Sequence, residues 1–93
     1  MIVIRIPTPL RPYAAGLKEV EVKAATVGAA LEDLAHRHPA IKTHLYDEGG
    51  NLRPYVNVFV NEDDVRNLDA EQTPLHEGDR VVILPSIAGG SGV

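Results

Sequence analysis

The sequence predicts a two-layer α+β domain: a sheet of four or five strands with one apolar face covered by a single main helix. Three observations carry that prediction. Short runs alternate apolar and polar residues, one longer run repeats apolar residues at helical spacing, and clusters of turn-forming residues separate them. With 93 residues the chain is one domain, toward the small end of those that sustain their own core.

Ile2, Ile4 and Ile6 share one face of the first strand, with Arg5 on the other. Pro7, Pro9 and Pro12 stop it, and Thr8 to Gly16 is expected to be a stiff loop. Alternation resumes from Lys18 to Lys23, turning Val20 and Val22 inward and Glu19, Glu21 and Lys23 to water, so the pair reads as an antiparallel hairpin. Thr26 is a fitting N-cap, because its hydroxyl can accept a free amide of the next helix's first turn. Val27, Ala30, Leu31, Leu34 and His38 follow at helical spacing, with Glu32, Asp33 and Arg37 opposite. Gly28 falls within the first turn, where its helical penalty is smallest.

Pro39 ends that helix near His38, and Ile41 to Tyr46 adds a turn that sets Ile41 and Leu45 on the core. Asp47 to Asn51 turns the chain. Tyr55 to Val60 is the strongest later strand, with Val56, Val58 and Val60 on one face and Tyr55, Asn57 and Phe59 on the other. Asn61 to Asp64 turns, Val65-Arg66 is a candidate short strand, and Leu68 to Leu75 is irregular. His76 to Asp79 turns into a last strand, Val81-Val82-Ile83-Leu84, bounded by Pro85. Strand order does not follow from these patterns.

Composition excludes several classes. A net charge of −4 argues against a nucleic-acid partner, whose phosphates favour a basic face. The apolar runs are a handful of residues long, so none is expected to span a membrane, and the N-terminus lacks the pattern of a signal peptide. The absence of cysteine removes disulfides, thiolate metal sites and thiol catalysis, leaving the cytosol as the default compartment.

No catalytic set or metal site is expected. His36 and His38 lie about 200° apart around a helix and cannot share a metal as an i, i+4 pair does. Glu62, Asp63 and Asp64 lack Ca²⁺-loop spacing and read as a solvated turn. His44 and His76 have no nucleophile pattern beside them. Tyr13, Tyr55 and Phe59 read as core or sheet-face residues, and Gly49-Gly50 as a turn.

The unusual stretch is the end. After Pro85 come Ser86, Ile87, Ala88, Gly89, Gly90, Ser91, Gly92 and Val93, mostly small residues with too little apolar surface to offset chain ordering. The domain is therefore expected to occupy 1–85, and 86–93 to form a flexible tail. Fully extended, Pro85 to Gly90 reaches roughly 20 Å, and its side chains shrink toward the two glycines, a shape suited to a narrow channel.

The run Leu75 to Pro85 followed by Ala88-Gly89-Gly90 resembles the C-terminal signature of the ThiS/MoaD family of ubiquitin-like sulfur carriers. Ile6-Pro7-Thr8 with Leu10-Arg11-Pro12, and Val56 to Arg66, resemble its CysO-like branch, which carries sulfur for cysteine synthesis; the likeness covers residues 1–90. The resemblance implies a β-grasp fold, a mixed sheet wrapped on one helix. It implies a carrier rather than an enzyme, with no cofactor of its own. An E1-like partner would use ATP and Mg²⁺ to adenylate the carboxylate of Gly90, next to Gly89, and a sulfur donor would convert it to a thiocarboxylate for a sulfur-accepting synthase. The lack of cysteine fits sulfur carried on the chain terminus.

Ser91-Gly92-Val93 departs from that pattern, since Gly90 stands in a peptide bond. The extension reads either as a precursor peptide, cut between Gly90 and Ser91 by a zinc-dependent JAMM-type peptidase, or as a cloning remnant. Two other readings stay open: a ubiquitin-like modifier that acylates lysines through the same glycine, and a noncatalytic binding module. For a partner, the candidate docking surface is the sheet face away from the helix, with Arg5, Tyr55, Asn57 and Phe59, extended by Ile87 and Ala88.

Overall fold

A computed structural model describes residues 1–54 and 56–85. The N-terminal alternation forms strand β1 (Ile2–Arg5), with Ile2, Ile4 and the following Ile6 buried. Strand β2 (Glu19–Val22) pairs antiparallel with it, Ile4 opposite Val20 and Ile2 opposite Val22, so all the inward residues of the hairpin share one face. The segment between them is not a loop. Thr8–Ala14 is a 3-10 helix that buries Leu10 and Ala14. Pro7 at the cap and Pro9 in the first turn do not oppose this, because their fixed φ suits a helical turn and no donor is required of them there; Pro12, inside the helix, keeps the fitting φ at the loss of one donor.

Thr26 caps helix α1 (Val27–Arg37), its hydroxyl accepting from the amide of Ala29 at 3.2 Å. Val27, Ala30, Leu31 and Leu34 are completely buried. His38 does not continue the stripe: its φ of −129° places it at the junction, where its amide donates to Leu34 O and its carbonyl accepts from Ile41. Pro39 breaks the ladder yet starts helix α2 (Pro39–Leu45) at the position where a proline is tolerated. Ile41 and Leu45 are fully buried, as the pattern predicts.

Strand β3 (Val56–Val60) alternates between buried and half-buried residues. The short strand expected at Val65-Arg66 falls two residues earlier, as β4 (Asp63–Asp64), opposite Phe59 and Val60. Asp64 ends it by accepting from the amide of Arg66 at 2.8 Å, which winds Val65–Asn67 into a 3-10 turn. A second such turn, Ala70–Gln72, presses against α1: a Cβ on Gly28 would lie 3.1 Å from Glu71 O. Gly28 is thus a site of close approach, not merely a tolerated glycine.

The last strand, β5 (Arg80–Pro85), runs through the centre of the sheet, whose order is β2-β1-β5-β3-β4. It is parallel to β1 and antiparallel to β3, which makes the sheet mixed. Pro85 belongs to the strand, opposite Val56, rather than ending it. Asn61 N–H bonds Arg80 O, and alternation from that pair puts Val56 and Pro85 at a non-hydrogen-bonded position. Pairing to β1 already stops at Val82, so the missing N–H of Pro85 breaks no ladder bond. Inward residues Val81 and Ile83 join Ile4, Val22, Val58 and the helix residues in one core.

Candidate functional site

Alternation that buries one face of the sheet presents a second face to solvent. Along β5 this face carries Arg80, Val82 and Leu84; along β1, Val3 and Arg5; along β3, Asn57 and Phe59. Register aligns Arg5, Val82 and Phe59 in one row and Leu84 with Asn57 in the next. The structure therefore brings the predicted Arg5 and Phe59 to the same surface, separated by Val82. Phe59 is half-buried, so it is a sheet-face residue and not core. Tyr55, Ile87, Ala88, Gly89, Gly90 and Ser91 lie outside the described residues.

Two residues of this surface escaped the sequence reading. Leu84 is 47% exposed, a large apolar side chain immediately before Pro85. Four consecutive β-formers show no alternation in hydropathy, but counting parity from either neighbour separates Val82 and Leu84 from the inward Val81 and Ile83. Arg66 is the other. Its guanidinium donates to Asn57 Oδ1 and, at 3.4 Å each, to both oxygens of Asp64. The Asp64 carboxyl is held below its ordinary value, first by the Arg66 backbone amide and further by that guanidinium. Across the sheet, Arg5 Nη1 stands 3.9 Å from Glu19 Oε2.

Other candidates are dispersed. Tyr13, expected in the core or on the sheet, is 38% exposed and stacks on His44 with ring centres 3.9 Å apart. Asp79 caps the turn at His76, its Oδ2 accepting from that residue's amide at 2.8 Å, and this bond is the chief cause that lowers its carboxyl. His36 lines an open cleft of about 620 Å³ with Glu32, Pro39, Lys42 and Tyr46, in the helical layer. Among the described residues no three His, Asp or Glu side chains stand together in a way that could hold a metal ion, and no helix is long and apolar enough to cross a membrane.

A mixed five-stranded sheet wrapped on one principal helix, with its central strand running toward a diglycine, defines a ubiquitin-like β-grasp protein. The ThiS family model matches residues 4–90, and the chain belongs to the ThiS family. Over 91 residues it is 40% identical to the sulfur carrier protein CysO of Mycobacterium tuberculosis, covering 96% of this chain and 98% of that one. A chain of the Amycolatopsis orientalis BexX/CysO complex matches with a TM-score of 0.87 at 40% identity, covering 97% of this chain and 100% of that one. Small archaeal modifier protein 3 of Haloferax volcanii is 38% identical over 66 residues, 71% of each chain. The chain is a CysO-like member of its family, a carrier rather than an enzyme.

Proposed function

We propose that the chain carries sulfur as a thiocarboxylate on Gly90 for the synthesis of cysteine or a related sulfur metabolite. The observation that carries this reading is the extent of the family match, which runs from residue 4 to Gly90. In the proposed sequence, a zinc-dependent JAMM-type peptidase hydrolyses the Gly90–Ser91 bond. The freed carboxylate attacks the α-phosphorus of ATP on an E1-like enzyme, with Mg²⁺ offsetting phosphate charge, and pyrophosphate leaves. A sulfide donor then attacks the acyl carbon, AMP leaves, and a synthase accepts the sulfur. Gly89 and Gly90 suit the step because neither has a side chain to obstruct a narrow channel or restrict the backbone. The outer sheet face, with Arg5 and Phe59 around Val82 and Leu84, is the proposed docking surface for the activating enzyme.

The test compares three forms with the same activating enzyme: residues 1–93, residues 1–90, and 1–90 with Gly90→Val. Only the second should release pyrophosphate and, with sulfide, gain the mass difference between sulfur and oxygen. Equal release from the first two without trimming would overturn the processing step; silence from all three would overturn the carrier reading. A second reading, a protein modifier using the same glycine, is favoured by the likeness to small archaeal modifier protein 3. It predicts whole-protein adducts on lysines by intact mass.

A further inference from the structure

Strand β2 is an edge of the sheet: in the order β2-β1-β5-β3-β4 it has a neighbour on one side only. The register fixes which of its backbone groups that neighbour uses. Ile6 N–H donates to Lys18 O at 2.8 Å, and alternation from that pair makes Ile4 with Val20 and Ile2 with Val22 hydrogen-bonded pairs as well. Glu19 and Glu21, opposite Arg5 and Val3, therefore turn their amides and carbonyls away from β1. A row of outward donors and acceptors of this kind is a template for another strand.

One of those groups is already taken. Arg37, the last residue of α1, donates from Nη1 to Glu21 O at 3.0 Å. Its Nη2 stands 3.2 Å from Asp33 Oδ2, one turn earlier on the same helix. The carboxylate orients the guanidinium, and the guanidinium lies where the amide of an added strand would have to lie. α1 is held to the sheet by Val27, Ala30, Leu31 and Leu34, all fully buried, whereas Arg37 and Glu21 are both exposed, so this contact adds little to the core.

The charges along the edge select the occupant. A second copy of β2 would pair antiparallel about a two-fold axis, with outward groups facing outward groups, so that odd-numbered residues oppose odd-numbered ones. An axis at Val20 sets Glu19 against Glu21 twice, like charge on like. An axis at Glu21 sets that residue against its own copy, although Glu19 then faces Lys23. An axis at Val22 sets Glu21 of each copy against Lys23 of the other, the exposed lysine one residue past β2, and opposes no like charges. In that register Glu21 O must accept from the amide of Lys23, and it is the carbonyl that Arg37 holds.

We infer that β2 is a pairing edge for a second copy of this chain, and that Arg37, oriented by Asp33, keeps the edge closed and the domain monomeric. The edge lies two strands away from β5, which leads to the diglycine, and the inference does not rest on the carrier reading.

The test reads oligomeric state by sedimentation velocity on the full chain, from micromolar concentrations to roughly 1 mM. The parent should sediment as a monomer throughout. Arg37→Ala should self-associate at least about tenfold more tightly, because one carbonyl on each copy is freed to join the ladder. Adding Glu21→Pro should return that variant to monomer: proline removes an outward amide, so the pairing to β1 is untouched and only the added strand loses a donor. Adding Lys23→Glu instead should loosen the pair about tenfold by placing a second carboxylate beside Glu21. Asp33→Asn, which keeps Arg37 but removes the charge that orients it, should associate to an intermediate degree. Circular dichroism melts establish that the variants fold. A folded Arg37→Ala chain that stays monomeric would overturn the inference; where Arg37→Ala does not fold, a monomeric Asp33→Asn chain does so. A parent that associates as tightly as Arg37→Ala would overturn the role of Arg37. A pair that survives Glu21→Pro would overturn the edge, and one indifferent to Lys23→Glu would overturn the register.

Discussion

The two faces of the sheet are built from the same strands and differ by one residue of phase. Toward the helices, Ile4, Val58, Val81 and Ile83 are almost completely buried. Toward solvent, Val3, Val82, Phe59 and Leu84 remain partly open, rimmed by Arg5 and Arg66. The inward face has no role that a partner could read. The outward face keeps apolar area that the fold does not need, which is what a contact surface requires. If the outer face is the proposed docking surface, substitutions on the two faces should move stability and binding separately.

The largest expected effect breaks the inward face alone. Leu34→Ala should destabilise the fold by roughly 2–5 kcal/mol, since Leu34 is fully buried in the core shared with Val20, Val56 and Val58. Urea melts measure it. A loss under about 0.5 kcal/mol would mean that the helix face contributes little to the core.

Next in size is Gly28→Val. Its Cβ would sit 3.1 Å from Glu71 O, a backbone atom that cannot swing aside as a side chain does. The preceding Ala70 already holds a φ of 52°, so the turn has little freedom to yield. Roughly 1–3 kcal/mol of destabilisation is expected, read in the same melts, with binding to the activating enzyme preserved in the folded fraction.

The outward face is broken by Leu84→Ala and Phe59→Ala. Each should weaken binding of that enzyme about tenfold, roughly 1.4 kcal/mol. Leu84→Ala should leave stability within about 0.5 kcal/mol, because the side chain is already 47% exposed. Phe59→Ala should cost somewhat more, being half-buried. Titration calorimetry beside melts separates the two effects. If stability drops and affinity does not, the outer face is structural.

What was legible in the sequence follows the same division. Periodicity marked the inward residues of β1, β2 and β3 and most of those of the two helices, because burial imposes a phase on each element. It passed over Val81 and Ile83, where four β-formers run together, and Leu10, Ala14, Val65 and Leu75, which lie outside any periodic run. It marked Arg5, Asn57 and Phe59 as outward for the same reason. Strand order was not legible: alternation specifies faces, and nothing in Val81 to Leu84 says that this strand lies between β1 and β3. The 3-10 helix over Thr8–Ala14 was hidden because prolines that break a sheet also look like breakers of everything else. Gly28 and Arg66 depend on neighbours distant in sequence or folded back over the sheet, Glu71 and Asn57, which no local window contains. The expectation for Gly89-Gly90 rests on resemblance, through residues that act as a signature, and not on periodicity; both glycines lie outside the described residues.

The smallest expected effect sharpens the inward side. Tyr46 is 8% exposed, and among the described residues its hydroxyl has no hydrogen-bond partner. Burial, aided by the carboxylates of Glu71 and Glu32, pushes its phenol up from 10.0 to about 12. The folded value therefore lies above the unfolded one. Below pH 10.0 both states keep the proton, and this group lends the fold no pH dependence. Above it the unfolded chain ionises first, so stability falls as pH rises toward about 12. Tyr46→Phe removes both the unpaired hydroxyl and that alkaline loss. At neutral pH the variant should equal the parent or exceed it by up to roughly 1 kcal/mol, because an orphaned polar atom is replaced by an apolar one of the same shape. Between pH 10.0 and about 12 the difference in its favour should widen. Urea melts at neutral pH and within that window measure both. A variant less stable than the parent at neutral pH would show that the hydroxyl is satisfied in solution, by a water or by a shift of Glu32 or Glu71, and a constant difference across the window would show that the phenol titrates alike in the folded and unfolded chain.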